Sequence, residues 1–299
     1  MTQFEHRKLG LALAFTASLT WGVLAIALKY ALVSIPLYNV VWFRFVFASI
    51  VLLCFFGIKD RSQIKLLAHP PKKAIIAGLF LAANYIGFLV GVKYTSASNS
   101  QVIIQSAPLM LAMCGFFIYK EAVSRNKIIG YLIATVGFVI YYKSQLMVLV
   151  NDQQFHLGNV YIFMAAIAWV IWAILQKKLV LNYDPQFINL VVYITAFISL
   201  SFLPDYSHFL TLNLEQFLLL CFLGANTIVA YGAMGASLKY AAASEVSLMI
   251  SMTPLITFAI VALMQLFNIS FIPLQSMSIM SIVGAIVIVS GVGLVVTKG

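Results

Sequence analysis

Residues 93–109, KYTSASNSQVIIQSAPL, return 146 positions later as residues 239–255, KYAAASEVSLMISMTPL. Lys93-Tyr94 pairs with Lys239-Tyr240, Ala97-Ser98 with Ala243-Ser244, and Pro108-Leu109 with Pro254-Leu255, in the same order. Upstream, the same offset pairs Gly78 with Gly224 and Tyr85 with Tyr231. An offset of 148 pairs Leu9-Gly10 with Leu157-Gly158, Phe15 with Phe163, Trp21 with Trp169 and Lys29 with Lys177. Apolar coincidences mean little in so apolar a chain, but Trp, Tyr, Lys, Gly and Pro matches recurring at nearly one offset mark an internal repeat. Pro36 with Pro185, and Gly130 and Gly137 with Gly284 and Gly291, carry it across each copy, so the units expected are 1–148 and 149–299.

The solvent of each copy is lipid. Of 299 residues 63% are apolar and 9% charged, whereas a soluble domain carries roughly a quarter charged residues to wet its surface. About 20 apolar residues span the hydrocarbon core as a helix. Ten apolar runs answer that description: 9–31, 37–57, 74–93, 97–119 and 126–142, then 158–180, 186–203, 214–238, 243–267 and 275–296. The fold expected is therefore an all-α membrane protein of ten transmembrane helices in two five-helix repeats. Five crossings per copy is odd, so consecutive copies enter the bilayer from opposite sides and form an inverted pair. Two inverted halves that exchange conformations open a midplane site to each side in turn.

The net charge of +10 does not point to nucleic acid, because the basic residues sit in gaps between apolar runs rather than on one face with polar or aromatic partners. They follow membrane topology instead. With both termini cytoplasmic, fourteen Lys and Arg fall on the cytoplasmic side and Lys29, Lys93 and Lys143 on the other, the asymmetry that sets orientation. The location expected is a bacterial cytoplasmic membrane. The first run, behind Arg7 and Lys8, exceeds a signal-peptide core and reads as a retained helix. Cys54, Cys114 and Cys221 lie inside apolar runs and the histidines at 6, 69, 156 and 208 in connectors, so neither a metal nor another cofactor is expected.

The Trp-bearing first helix of each copy, Pro36 through Arg44 in the second, Lys93-Tyr94-Thr95-Ser96-Ala97-Ser98 leading to Pro108, and Tyr119-Lys120-Glu121 before the Gly130–Gly137 helix together resemble the drug/metabolite transporter superfamily, in its EamA-like branch of ten helices. The resemblance covers nearly the whole chain. It implies that the first four helices of each half wall a central cavity, with the fifth and tenth packed behind, and that amino acids, related metabolites or drug-like compounds are carried. The second copy departs from the pattern: Gln265-Leu266-Phe267 stands where the first has Tyr119-Lys120-Glu121, and no acid follows.

Polar residues inside the runs are the candidate site. Arg44 costs roughly 2.5–3.5 kcal/mol at the centre of a membrane helix, so it must face a cavity or a partner; pinning a neighbouring helix, or snorkelling to the outer surface as an external gate, are the alternatives. Ser98, Gln101, Gln105 and Pro108 fall on one helical face, repeated by Ser244, Ser247, Ser251 and Pro254. The serines suit packing, and the two glutamines, with donor and acceptor both, suit contact with substrate. Pro108 and Pro254 each free a carbonyl in mid-helix and are candidate gating points. Asn84, Tyr85, Asn226 and Tyr231 fit either the few oriented polar groups of an apolar ligand cavity or buried polar packing. Trp21, Trp169 and Trp172 lie away from the interfacial belt and read as cavity walls or core fillers. Gly87 and Gly91 suit close helix packing. Glu245 is the candidate for a coupling proton, against a solvated helix-start acid beside Lys239.

These features favour a secondary transporter of a small metabolite, an amino acid or a related zwitterionic or amphiphilic compound, working as exporter or exchanger. Its partners are the substrate and the bilayer, with a proton or a counter-substrate as the coupled species. The alternative is an intramembrane enzyme with a serine nucleophile, but no span holds His or Asp and no Gly-x-Ser-x-Gly turn is present. A channel would show a ring of charge or a carbonyl filter.

Overall fold

The computed structural model describes residues 3–94, 100, 103–121, 124–146, 153–267 and 279–298. Among them all regular structure is helical: α1 (Gln3–Ala31), α2 (Leu37–Lys59), α3 (Arg61–Leu66), α4 (Lys72–Tyr94), α5 (Ser106–Phe117), α6 (Arg125–Leu146), α7 (Gln153–Leu179), α8 (Pro185–Leu200), α9 (Tyr206–Phe209), α10 (Leu214–Tyr240), α11 (Ala243–Ile250), α12 (Thr253–Leu266) and α13 (Ile279–Lys298). Six apolar stretches among the described residues are long enough to cross a bilayer, with Ser106–Phe117 and Pro185–Leu200 as shorter apolar helices. Large apolar side chains such as Ile50, Phe163, Ile198 and Val229 point outward, a surface that only lipid tolerates over such an area. The chain is a multi-pass integral membrane protein.

Helix ends are set by local chemistry. Asp184 accepts from the backbone N–H groups of Gln186 and Phe187 and is followed by Pro185 in the first helical position of α8, where the missing N–H costs nothing. Asn213 and Gln216 form a reciprocal capping box at the start of α10. Asn39 of α2 exchanges two hydrogen bonds with the backbone of Asp205, 2.6 Å from its carbonyl and 3.0 Å from its N–H. That pair anchors the connector before α10 to the opposite end of the sequence.

The core lies between the two parts of the chain. α4 packs along α7, α1 along α10, α6 along α13, α5 against α11, and α2 against α8; each of these pairs joins one helix before residue 147 to one after residue 152. Small residues permit the approach. Gly87 lies against the Tyr161 carbonyl and Ala165, and any side chain on Gly91 would collide with Ile162. The close-packing expectation for this pair of glycines therefore matches the α4–α7 contact.

Both helices with a central proline differ from the continuous spans expected. The run 243–267 is two helices, α11 and α12, separated by a turn at Ser251-Met252, and α5 begins only after a turn at Gln105. Pro254 and Pro108 thus stand in the first turn of the second pieces, where a missing N–H is tolerated. The carbonyls left at the α11 break find hydroxyls: Ser18 Oγ of α1 donates to Met249 O at 2.7 Å, and Thr253 Oγ1 donates to Ile250 O at 2.7 Å. In lipid such carbonyls must be satisfied from within the protein.

Candidate functional site

Arg44 is the largest charged side chain among the fully buried described residues. It is 2% exposed, although it belongs to a helix whose other residues are almost all apolar. Its Nε donates to Thr227 Oγ1 of α10 at 2.9 Å and its Nη2 to the Tyr85 hydroxyl of α4 at 3.0 Å. The guanidinium also lies over the Tyr85 ring, 4.7 Å from the centroid, a cation–π arrangement that desolvation strengthens. Thr227 Oγ1 passes its own proton to Leu223 O, and the Tyr193 hydroxyl of α8 donates to Thr227 O at 3.3 Å. Four helices, α2, α4, α8 and α10, therefore meet at this cation. Among the described residues no carboxylate pairs with it.

Tyr85 leads directly into an aromatic cluster. Its ring is 6.2 Å from Tyr231, which contacts Trp172 edge-on at 4.9 Å and Trp21 at 5.3 Å. Trp169 closes the group, 6.1 Å from Trp21 and 5.7 Å from Trp172. Six residues predicted from sequence, Trp21, Arg44, Tyr85, Trp169, Trp172 and Tyr231, thus form one contiguous patch drawn from α1, α2, α4, α7 and α10. Trp172 is fully buried, yet its Nε1 donor has no acceptor among the described residues. An indole N–H left unpaired away from water costs about 1–3 kcal/mol unless something arrives to accept from it.

The other predicted residues separate. Asn84 Nδ2 donates to Ala165 O at 2.9 Å and Asn226 Nδ2 to Thr20 O at 2.9 Å. Each tethers the third membrane helix of its part to the first of the other, a packing role, though Asn226 keeps an unpartnered Oδ1. Gln105 stands at the break before α5, buried, with Oε1 unpartnered. Gln101 lies outside the described residues. Pro108 and Pro254 mark the two breaks.

Glu245 is a helix-start acid, in the first turn of α11, but it is not solvated. It is 4% exposed and pairs with Arg7 at 3.1 Å and Lys127 at 3.3 Å. The α11 segment carries it into the protein because Arg7 and Lys127 arrive from α1 and α6, residues remote in sequence. Of the two partners of Arg44, Tyr85 was a candidate from sequence and Thr227 was not; nor was Tyr193, which holds Thr227, because membrane helices accommodate such hydroxyls and composition does not flag them. Glu121 and Lys177, which pair at 3.6 Å near Glu245, were visible only as parts of the repeat pattern.

A bundle whose described residues are all-helical, with broken helices and an apolar outer surface, defines a class, the multi-pass helical membrane proteins. Over 8–143 and again over 156–297 the chain matches the EamA-like transporter family. It belongs to that family and is a membrane transporter. It is 30% identical over 293 residues to the "Uncharacterized inner membrane transporter YhbE" of Escherichia coli (strain K12), covering 96% of this chain and 91% of that one. An "Uncharacterized transporter" of Haemophilus influenzae (strain ATCC 51907 / DSM 11121 / KW20 / Rd) is 25% identical over 290 residues, 96% of this chain and 94% of the relative. The "S-adenosylmethionine uptake transporter" of Rickettsia bellii (strain RML369-C) is 27% identical over 201 residues, 66% of this chain and 65% of the relative. A solved structure described as "Crystal structure of protein" superposes with a TM-score of 0.76 at 14% identity, covering 97% of this chain and 96% of its own, which speaks to the fold alone.

Proposed function

We propose that this transporter is a secondary carrier of a small zwitterionic or amphiphilic metabolite of the amino-acid kind, moved across the cytoplasmic membrane by alternating access of two inverted halves, 1–148 and 149–299, as an exporter or exchanger with both termini cytoplasmic. The observation that carries the reading is Arg44: a buried guanidinium, held in place by two neutral hydroxyls and one ring face, with no counter-ion among the described residues. Two hydrogen bonds orient it without neutralising it. A carboxylate from the substrate would complete the charge balance, and a bidentate match is what a guanidinium offers best.

The packing supports the inverted arrangement. If helices one to five of the first half exchange with those of the second, the α4–α7 contact becomes the α10–α1 contact, and α2–α10 becomes α8–α4; both members of each pair are present. The two separate family matches, 8–143 and 156–297, divide the chain in the same place. The aromatic cluster draws Trp21 and Trp169, and Tyr85 and Tyr231, from the two copies, so it straddles the axis where a shared midplane site belongs. An aromatic wall beside a cation suits a ligand with a carboxylate and an apolar or cationic body. S-adenosylmethionine, named for the Rickettsia relative, meets that description and belongs in a substrate panel. Glu245 is already held by two bases, so exchange against a counter-substrate fits better than proton coupling through this acid.

The test is a thermal-stabilisation screen of the purified protein against amino acids, S-adenosylmethionine and matched amines lacking the carboxylate. Carboxylate-bearing ligands should raise the melting temperature of the native chain by mass action and have no effect on a folded Arg44→Ala variant. Equal stabilisation by the amines, or wild-type affinity in Arg44→Ala, would remove the carboxylate from the site.

A further inference from the structure

Five charged residues converge at the end of the bundle where the chain begins, and the transport reading leaves them without a role. Glu245 of α11 pairs with Arg7 of α1 and with Lys127 of α6. Glu121, just beyond α5, pairs with Lys177 of α7 at 3.6 Å and accepts from the backbone N–H groups of Ala243 at 2.6 Å and Ser244 at 3.0 Å. Lys177 Nζ in turn donates to Ala241 O at 3.1 Å. Each acid thus binds a base from the other half of the chain. Glu121 also sits on the positive end of α11, where a carboxylate is favoured. The Tyr131 hydroxyl of α6 donates to Ser244 O and completes the seal.

The backbone is shaped to deliver Glu121. Lys120 has φ 51, a left-handed conformation that a residue with a Cβ adopts at a cost of about 1–2 kcal/mol. It lets the Glu121 N–H return to Gly115 O at 3.1 Å, the reversal that ends a helix and turns the next side chain back on it. Gly115 leaves the space: a Cβ there would stand 2.6 Å from Glu121 Oε2 and 3.0 Å from Ser244 N. Uncommon backbone held at one point is where a working contact is expected.

The repeat does not carry these charges to the matching positions of the other copy. Moving by the repeat offset of 146 takes Gly115, Lys120 and Glu121 to Val261, Leu266 and Phe267, and Glu245 back to Asn99. The offset of 148 takes Arg7 to Phe155 and Lys177 back to Lys29, and the register of the last helices, Gly130 to Gly284, takes Lys127 to Ser281. One base survives of five charges, and neither acid does.

We propose that Glu121 and Glu245 are gate residues of the transport cycle: with Arg7, Lys127 and Lys177 they form an ionic latch that must break before substrate passes at that end, while the opposite end closes without charge pairing. The role rests on the alternating-access reading, and the test separates the two. In proteoliposomes of known orientation, the full chain with Cys54, Cys114 and Cys221 replaced by Ala carries one reporter, either Ser251→Cys, buried beyond the latch in the turn that follows α11, or Ala27→Cys, toward the far end of α1. A small membrane-impermeant methanethiosulfonate is added to the face nearest each reporter. Glu121→Gln and Glu245→Gln should each raise the labelling rate of the Ser251→Cys reporter by about tenfold without raising that of Ala27→Cys. Gly115→Ala, which crowds Glu121 while keeping its charge, should act in the same direction and covers the case in which an acid variant fails to fold. Unchanged Ser251→Cys labelling in the folded variants, or a rise at both reporters together, overturns the latch. A reciprocal fall at Ala27→Cys supports alternation as well; a rise at Ser251→Cys with Ala27→Cys constant leaves the latch standing and overturns the alternating reading.

Discussion

At the residue scale the decisive balance is between a charge that is oriented and one that is neutralised. Arg44 donates two hydrogen bonds and lies over a ring face, but no carboxylate among the described residues pairs with it, so its folded-state cost is offset only in part. Thr227→Val removes the Nε acceptor while keeping the volume. It should lower stability by about 1–3 kcal/mol, the cost of a buried donor left unmet, and weaken ligand binding, both read from melting curves with and without substrate. Trp172→Phe makes the opposite trade. It keeps an edge-on contact with Tyr231 and deletes an N–H for which the described residues offer no acceptor, so stability should hold or rise; a simultaneous loss of carboxylate affinity in the same titration would assign that N–H to the ligand. Arg44 and the three tryptophans were legible in the sequence because a charge or an indole deep in an apolar run demands an explanation. Thr227 and Tyr193 were not, because a hydroxyl in a membrane helix can always return to its own backbone, as Thr227 does to Leu223.

At the element scale the interest lies in the broken helix. Ser18 reaches from α1 to the carbonyls of Met249 and Ile250, so the break at Ser251-Met252 is fastened to the first helix rather than left loose. Ser18→Ala should lower the melting temperature by an amount corresponding to about 1 kcal/mol, because Thr253 and Met252 still satisfy one carbonyl each. Pro254→Ala restores a donor and favours one continuous helix. The expected result is a more thermostable protein with slower substrate exchange, measured by counterflow in proteoliposomes; faster exchange would show that the proline does not serve the moving part. The prolines themselves were plain in the sequence. They read along the chain as mid-helix positions that free a carbonyl; the break before each was not legible, since hydrogen-bond partners for the freed carbonyls come from another helix and cannot be counted along one.

At the scale of the whole molecule, the halves are not two bundles side by side but one interlocked set, with α1 on α10 and α4 on α7. Neither half has a large core of its own to fold around, so the two are expected to unfold in a single transition, and a chain truncated after the first repeat should fail to accumulate in the membrane. Reporter fusions at the two termini should both read cytoplasmic; opposite readings would contradict an even number of crossings and with it the inverted repeat. The apolar runs, the internal repeat and the family likeness were all determined by the sequence alone, because hydrophobic length and the order of Trp, Tyr, Gly and Pro are properties of the chain read linearly. Only the tertiary structure decided which charges are paired. Glu245 reads along the chain as a solvated helix-start acid beside Lys239, yet folding buries it between Arg7 and Lys127, while Arg44 is brought to hydroxyls and no acid. Electrostatic energy depends on distance through space and on the exclusion of water, and neither is set until helices remote in sequence have packed together.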